Sequence, residues 1–195
     1  MSRTITIEKE IFKYEELSEQ AKERVRIKNG EFIAEFETEN LKYDFEEILK
    51  EKYPYFEKPD FVWSLSNSQG DGLSFSSDFS LTDYLFIKYP CMSGWKHRFL
   101  IDNIHVHVRY NNGHYCYAHK SCIDIEFNFD YKTNTKRIDK LIDKLLNDIT
   151  NEYLQICKEF EKQGYKAYEY LYSDEYAKEL AESNEYEYDC NGNIF

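Results

Sequence analysis

From Lys136 onward, apolar residues recur at three- and four-residue intervals: Ile138, Leu141, Ile142, Leu145, Leu146, Ile149, Tyr153, Ile156, Cys157 and Phe160. This is the period of a helix with one buried face, and it is the most regular stripe in the chain. Gly164 marks a point where that helix could end or bend, and residues 165–171 could continue it. Upstream the period changes to two. Ile104, Val106, Val108 and Tyr110 alternate with His105, His107 and Arg109, and Ile123, Ile125, Phe127 and Phe129 alternate with Asp124, Glu126, Asn128 and Asp130. Two half-buried strands follow from that alternation, the first spanning residues 101–110. Asn112-Gly113 is a hairpin signal between them, followed by a short strand over residues 115–118. Such an antiparallel meander needs a helix against its apolar face, and the stripe after Lys136 supplies one.

The remaining elements are read in the same way. Residues 4–14 predict an opening strand. Ser18 is the expected N-cap of a first helix, with Glu19 and Glu23 near its first turn and Leu17, Ala21, Val25 and Lys28 along one face. Asn29-Gly30 is expected to interrupt it. A second helix is predicted from about Glu31 towards Tyr53, with a break at residues 38–40 and a stop at Pro54. Pro59 should keep the following connection extended. The run Trp63-Ser-Leu-Ser-Asn-Ser-Gln69-Gly70-Asp71-Gly72-Leu-Ser-Phe75 places Trp63, Leu65, Leu73 and Phe75 at alternate positions around a glycine corner, and predicts a hairpin. Residues 80–89 predict a short helix and residues 90–98 a loop. Ser173 caps a further helix to about Glu182, and the tail ends in a strand or hairpin turning at Asn191-Gly192. Together these elements predict an α+β domain over residues 1–195, an antiparallel sheet packed on one long amphipathic helix plus N-terminal helices.

Composition changes this picture in two ways. Aromatic residues are 17% of the 195, so Tyr and Phe must build much of the core, and buried phenols then need hydrogen-bond partners. The net charge of −12 argues against a protein that coats nucleic acid directly, since that affinity rests on Lys and Arg, and it suits a basic partner. Residues 151–195 carry 11 acids and 4 bases, a local net of −7. Five cysteines without a CxxC pair read as reduced thiols. The polar N-terminus and the lack of a long apolar run point to a cytoplasmic chain with no membrane partner.

Four constellations could carry chemistry. The Gln69-Gly-Asp-Gly72 corner could cradle a ligand through exposed N–H groups, with Gln69 or Asp71 holding it, or it could be a turn only. It lacks the lysine of a phosphate loop. His105, His107, His114 and His119 with Asp124 and Glu126 have spacings that metals use, and they equally fit ordinary cross-strand pairs, so no metal or cofactor is assigned. Cys116 or Cys122 near His114 or His119 permits a thiol nucleophile, although such cysteines are commonly inert core residues. The fourth constellation is the acidic, tyrosine-rich stretch holding Glu169, Asp174, Glu175, Glu185 and Glu187. Carboxylates there could imitate a phosphate backbone while tyrosines anchor a partner, or they could be a solvated surface.

Several motifs also resemble a widespread, mostly uncharacterised family of phage and mobile-element proteins. They are Leu17-Ser-Glu-Gln-Ala-Lys-Glu-Arg-Val-Arg26, Ser68-Gln-Gly-Asp-Gly-Leu-Ser-Phe75, Gly113-His-Tyr-Cys-Tyr-Ala-His119, Tyr168-Glu-Tyr-Leu-Tyr-Ser-Asp-Glu175 and Asn184-Glu-Tyr-Glu-Tyr188. Leu65-Ser-Asn departs from the aromatic run common before the second motif. The resemblance carries no catalytic assignment. It implies an accessory protein for takeover or counter-defence, including anti-CRISPR activity against a nucleic-acid-guided nuclease. The partner would be a host defence protein or ribonucleoprotein with a basic surface. A small-ligand or metal-binding enzyme and an antitoxin-like partner remain the alternatives.

Overall fold

The computed structural model describes residues 9–65, 71–110, 118, 122–129 and 136–195, the side chain of Glu35 excepted. Its elements are α1 (Glu19–Lys52), β1 (Phe56–Ser64), β2 (Gly72–Phe79), α2 (Leu81–Lys88), α3 (Gly94–Asn103), β3 (Ile104–Tyr110), β4 (Ile123–Phe129), α4 (Lys136–Leu171) and α5 (Asp174–Ser183), with a 3-10 turn at Tyr14–Glu16. Contacts gather into two units, Leu41–Gly164 and Met1–Asn40 with Tyr165–Phe195, and α1 and α4 contribute residues to both. The α+β class follows directly from this inventory.

Within Leu41–Gly164 the strands form one antiparallel sheet in the order β1-β2-β3-β4. The hairpin expected around the glycine corner is present, with Phe61 opposite Phe75, Trp63 opposite Leu73 and Ser64 opposite Gly72. Its corner residues 66–70, Gln69 among them, lie outside the described residues. Alternation on β3 is as the pattern required: Ile104, Val106 and Val108 are buried, whereas His105 and Arg109 are exposed. The apolar stripe of α4 lies in the same core, with Ile142, Leu145, Ile149, Tyr153, Ile156 and Phe160 all buried. Aromatic rings fill that core. Phe160 stacks on Phe45 with centroids 4.4 Å apart, and Tyr153 lies 4.9 Å from Phe75.

One seam of the sheet is short. β2 meets β3 only at Ser77 opposite Val108 and Asp78 opposite His107. Beyond it, the backbone N–H of Phe75 donates to the Tyr153 hydroxyl (3.1 Å), and that hydroxyl donates to the Phe75 carbonyl (2.9 Å). A helix side chain thus satisfies buried strand groups that would otherwise lack partners. On the opposite side of β2, Lys58 and Pro59 lie between paired residues Glu57 and Asp60 and bulge β1, with Lys58 at φ 49°. Pro59 is therefore inside an edge strand rather than in the connection leading to it, a position proline tolerates. The Ser77 hydroxyl closes the gap by donating to the Glu57 carbonyl at 2.9 Å.

Four expectations are corrected. Asn29-Gly30 does not interrupt a helix, since α1 runs unbroken through it. Gly30 serves packing instead: a Cβ there would fall 2.4 Å from the Tyr172 ring. The break at residues 38–40 is also absent: α1 continues through them, with the Thr38 hydroxyl donating to the Ala34 carbonyl one turn back. Residues 94–98 belong to α3 rather than to a loop, and the helix carries on through residue 103, so β3 begins at Ile104. Gly164 neither ends nor bends α4 into a separate element, and the helix continues to Leu171. Residues 4–8 of the opening strand and residues 115–117 lie outside the described residues. Of the described residues in the span 4–14, Phe12 pairs with Tyr188 as an isolated antiparallel bridge, and Tyr14 begins the 3-10 turn.

The unit formed by Met1–Asn40 and Tyr165–Phe195 has its own core of Tyr14, Leu17, Ala21, Val25, Ala177, Ala181 and Tyr188. Both predicted serine caps are made. Ser18 Oγ accepts from Ala21 N–H (3.3 Å) and Ser173 Oγ from Tyr176 N–H (3.1 Å). The tail folds back through bridges of Tyr188 to Phe12 and Ile194, and the Gly192 N–H donates to the Asp189 carbonyl at 3.0 Å. Gly192 sits at φ 82°, where a Cβ would meet the Ala21 carbonyl oxygen at 2.8 Å.

Candidate interaction face

Helical spacing sorts α5 into two faces. Ala177 and Ala181 are buried, and Glu175, Glu179 and Glu182, at i, i+4 and i+7, line the opposite side. All three glutamates are exposed. Tyr170, on the last turn of α4, donates to Glu179 at 2.7 Å and packs against Tyr176 with centroids 5.3 Å apart. The bond to Glu179 pushes the Tyr170 phenol up to about 12, since its ionised form would face a carboxylate. Glu169 and Glu185 are also exposed, the latter at φ 54°. Among the described residues, the side chains of Glu169, Glu175 and Glu185 make no hydrogen bond or salt bridge.

Two of the sequence-predicted acids have structural roles. Asp174 accepts from the Tyr14 hydroxyl (2.7 Å) and from Arg26 Nη1 (3.0 Å), and Arg26 also pairs with Glu23. Glu187 pairs with Lys13 at 3.1 Å. Lys178 is engaged by Glu15 and, at 3.9 Å, by Glu182. Sequence reading missed this network, because Tyr14 and Arg26 stand 160 and 148 residues from Asp174. Burial, then the Asp174 bond, raises the Tyr14 phenol well above its usual range.

A pH dependence follows. The Tyr14 hydrogen bond first, and the Arg26 charge with it, hold the Asp174 carboxyl below its ordinary 3.8. A carboxyl lowered in the folded state contributes stability that is fully present above that ordinary value and is lost as pH falls through the folded one. Asp174→Asn is expected to be less stable at neutral pH and to lose less on acidification than the parent. Urea midpoints at roughly pH 7 and pH 3 test this, and equal acid sensitivity of the two proteins would remove the role.

The other constellations are only partly within view. Gln69, His114, His119 and Cys116 lie outside the described residues. Asp71 accepts from the Ser64 hydroxyl at 2.6 Å, a bond across the hairpin. His107 faces Glu126 and Arg109 faces Asp124 across β3 and β4, which is the cross-strand arrangement. Among the described residues no group of three or more His, Cys, Asp or Glu could hold a metal, and no helix is long and apolar enough to cross a membrane. Among the described residues Cys91, Cys122, Cys157 and Cys190 are in no disulfide, and Cys157 is buried in the α4 core.

No family model, curated protein or solved structure matches the chain.

Proposed function

We propose that the chain is a non-enzymatic binding protein that occludes a Lys/Arg-rich, nucleic-acid-binding surface of a partner, a host defence complex such as a nucleic-acid-guided nuclease. The observation that carries this reading is the exposed Glu175, Glu179 and Glu182 stripe on α5, with Glu169 and Glu185 beside it in the chain and Tyr170 and Tyr172 partly exposed. Carboxylates at successive helical turns present a row of negative charge to a basic groove, and tyrosines supply rigid contact area at little entropic cost. The phage-family resemblance of the sequence motifs supports the choice of a defence complex as the partner.

Capture of partners by the tagged chain from its natural host, read by mass spectrometry, is the test. A basic nucleic-acid-binding protein or ribonucleoprotein should be retained at low salt and released by about 0.5 M salt, where charges are screened within a few ångströms. The triple variant Glu175→Lys, Glu179→Lys, Glu182→Lys should fail to retain it. Retention that ignores both salt and charge reversal would overturn the proposal.

A further inference from the structure

Asn29, half of the pair that reads as a helix break, lines a cavity of about 330 Å³ in the unit built from Met1–Asn40 and Tyr165–Phe195. Val25 and Ile33 of α1, Leu180 of α5 and Ile194 of the tail form its apolar wall. Besides Lys28, the polar side chains of Asn29, Asn184, Tyr186 and Tyr188 line it. Asn29 is 9% exposed and Tyr188 fully buried, and among the described residues both Asn29 Nδ2 and the Tyr188 hydroxyl are without a hydrogen-bond partner. Leaving such buried groups unpaired costs about 1–3 kcal/mol each, so the arrangement is that of a site awaiting an acceptor. Asn184, on the same lining, has its amide committed to the Leu180 carbonyl at 2.8 Å.

Charge narrows the class of ligand. Lys28 lines the cavity from an exposed position, and among the described residues no Asp or Glu does, in a chain whose net charge is −12. Two donors and one cation around an apolar wall match an anion with a greasy body. At about 30 Å³ per group, the share of one liquid water, the space takes about ten non-hydrogen groups. We propose that this cavity is a binding site for a small monocarboxylate with an aliphatic body, its carboxylate accepting from Asn29 and Tyr188 and facing Lys28. The site is separate from the acidic stripe of α5, so either proposal can fail without the other.

Octanoate, octan-1-ol and octylammonium are matched probes of about this size, and the full-length chain is titrated with each while the methyl signals of Ile33, Leu180 and Ile194 are followed by NMR. Octanoate should bind saturably and move those methyls, octylammonium at least about tenfold more weakly. Tyr188→Phe should weaken octanoate about tenfold and octanol less. Lys28→Ser, a surface change that leaves the core intact, should weaken octanoate several-fold and leave octanol unchanged. Equal binding of the anion and the cation, shifts confined to other methyls, or no saturable octanoate binding up to roughly 10 mM would each overturn the assignment.

Discussion

Tyr153→Phe is expected to destabilise the chain by about 2 kcal/mol, a large effect for the loss of one oxygen atom. The ring would still fit, since Tyr153 is 1% exposed among Phe56, Phe75 and the rest of the α4 core. What disappears is the hydroxyl that serves both the N–H and the carbonyl of Phe75, on a strand residue with no exposure. Because β2 and β3 pair at two positions only, no neighbouring strand residue is paired with Phe75 on that side. Two buried backbone groups lose their partner together. Tyr153→Ala removes the ring as well and should cost about 3–5 kcal/mol. Tyr110→Phe is the matched control, since its hydroxyl reaches the exposed carbonyl of Asp60 at 3.1 Å and, at the longer distance of 3.4 Å, the part-buried carbonyl of Ser74, and it should cost no more than about 1 kcal/mol. Urea unfolding followed by far-UV circular dichroism reads all three. A loss for Tyr153→Phe no greater than that of the control would mean that the hydroxyl does not hold the seam.

Gly192→Ala should cost about 2–3 kcal/mol by a different route, backbone strain together with a collision. At φ 82° an alanine is strained whatever the space, and its Cβ would stand 2.8 Å from the Ala21 carbonyl oxygen and 2.9 Å from Val25 Cγ2. The oxygen belongs to α1 and cannot yield without deforming the helix, so the tail must lift. Lifting it breaks the reciprocal bonds of Phe12 and Tyr188, at 2.8 and 2.9 Å. Gly164→Ala provides the contrast: among the described residues its Cβ would meet the Leu65 side chain, whose Cδ1 at 2.6 Å can swing aside, and within α4 alanine gains helix propensity of about 1 kcal/mol. Thermal melts of the two variants, with amide exchange at Phe12 and Tyr188, separate the cases. Protection of those two amides in Gly192→Ala equal to the parent's would contradict the account.

These residues also mark what sequence could and could not reveal. The α4 stripe, the β3 alternation and the caps at Ser18 and Ser173 were legible because each is a local pattern whose period or side chain fixes its own backbone. Asn29-Gly30 misled because a helix break and a packing site use the same residue: nothing near Gly30 in sequence announces that the ring of Tyr172 needs the missing Cβ. α3 was hidden for the opposite reason. Pro90 and Gly94 read as loop punctuation, and its Ser93 N-cap makes no side-chain bond. For the candidate face, exposure of Glu169, Glu175 and Glu185 agrees with the acidic patterning. The commitment of Asp174 to Tyr14 and Arg26 was illegible, since only the fold brings those three together.

The bulge at Lys58 and Pro59 reaches beyond the hairpin it belongs to. β1 is an outer strand, and an outer strand is a standing invitation for another chain to add itself along the open row of amides. Pro59 has no amide to offer, and the left-handed turn of Lys58 throws the ladder out of line at the same point. Addition of a further strand along this rim is thereby disfavoured by two adjacent residues.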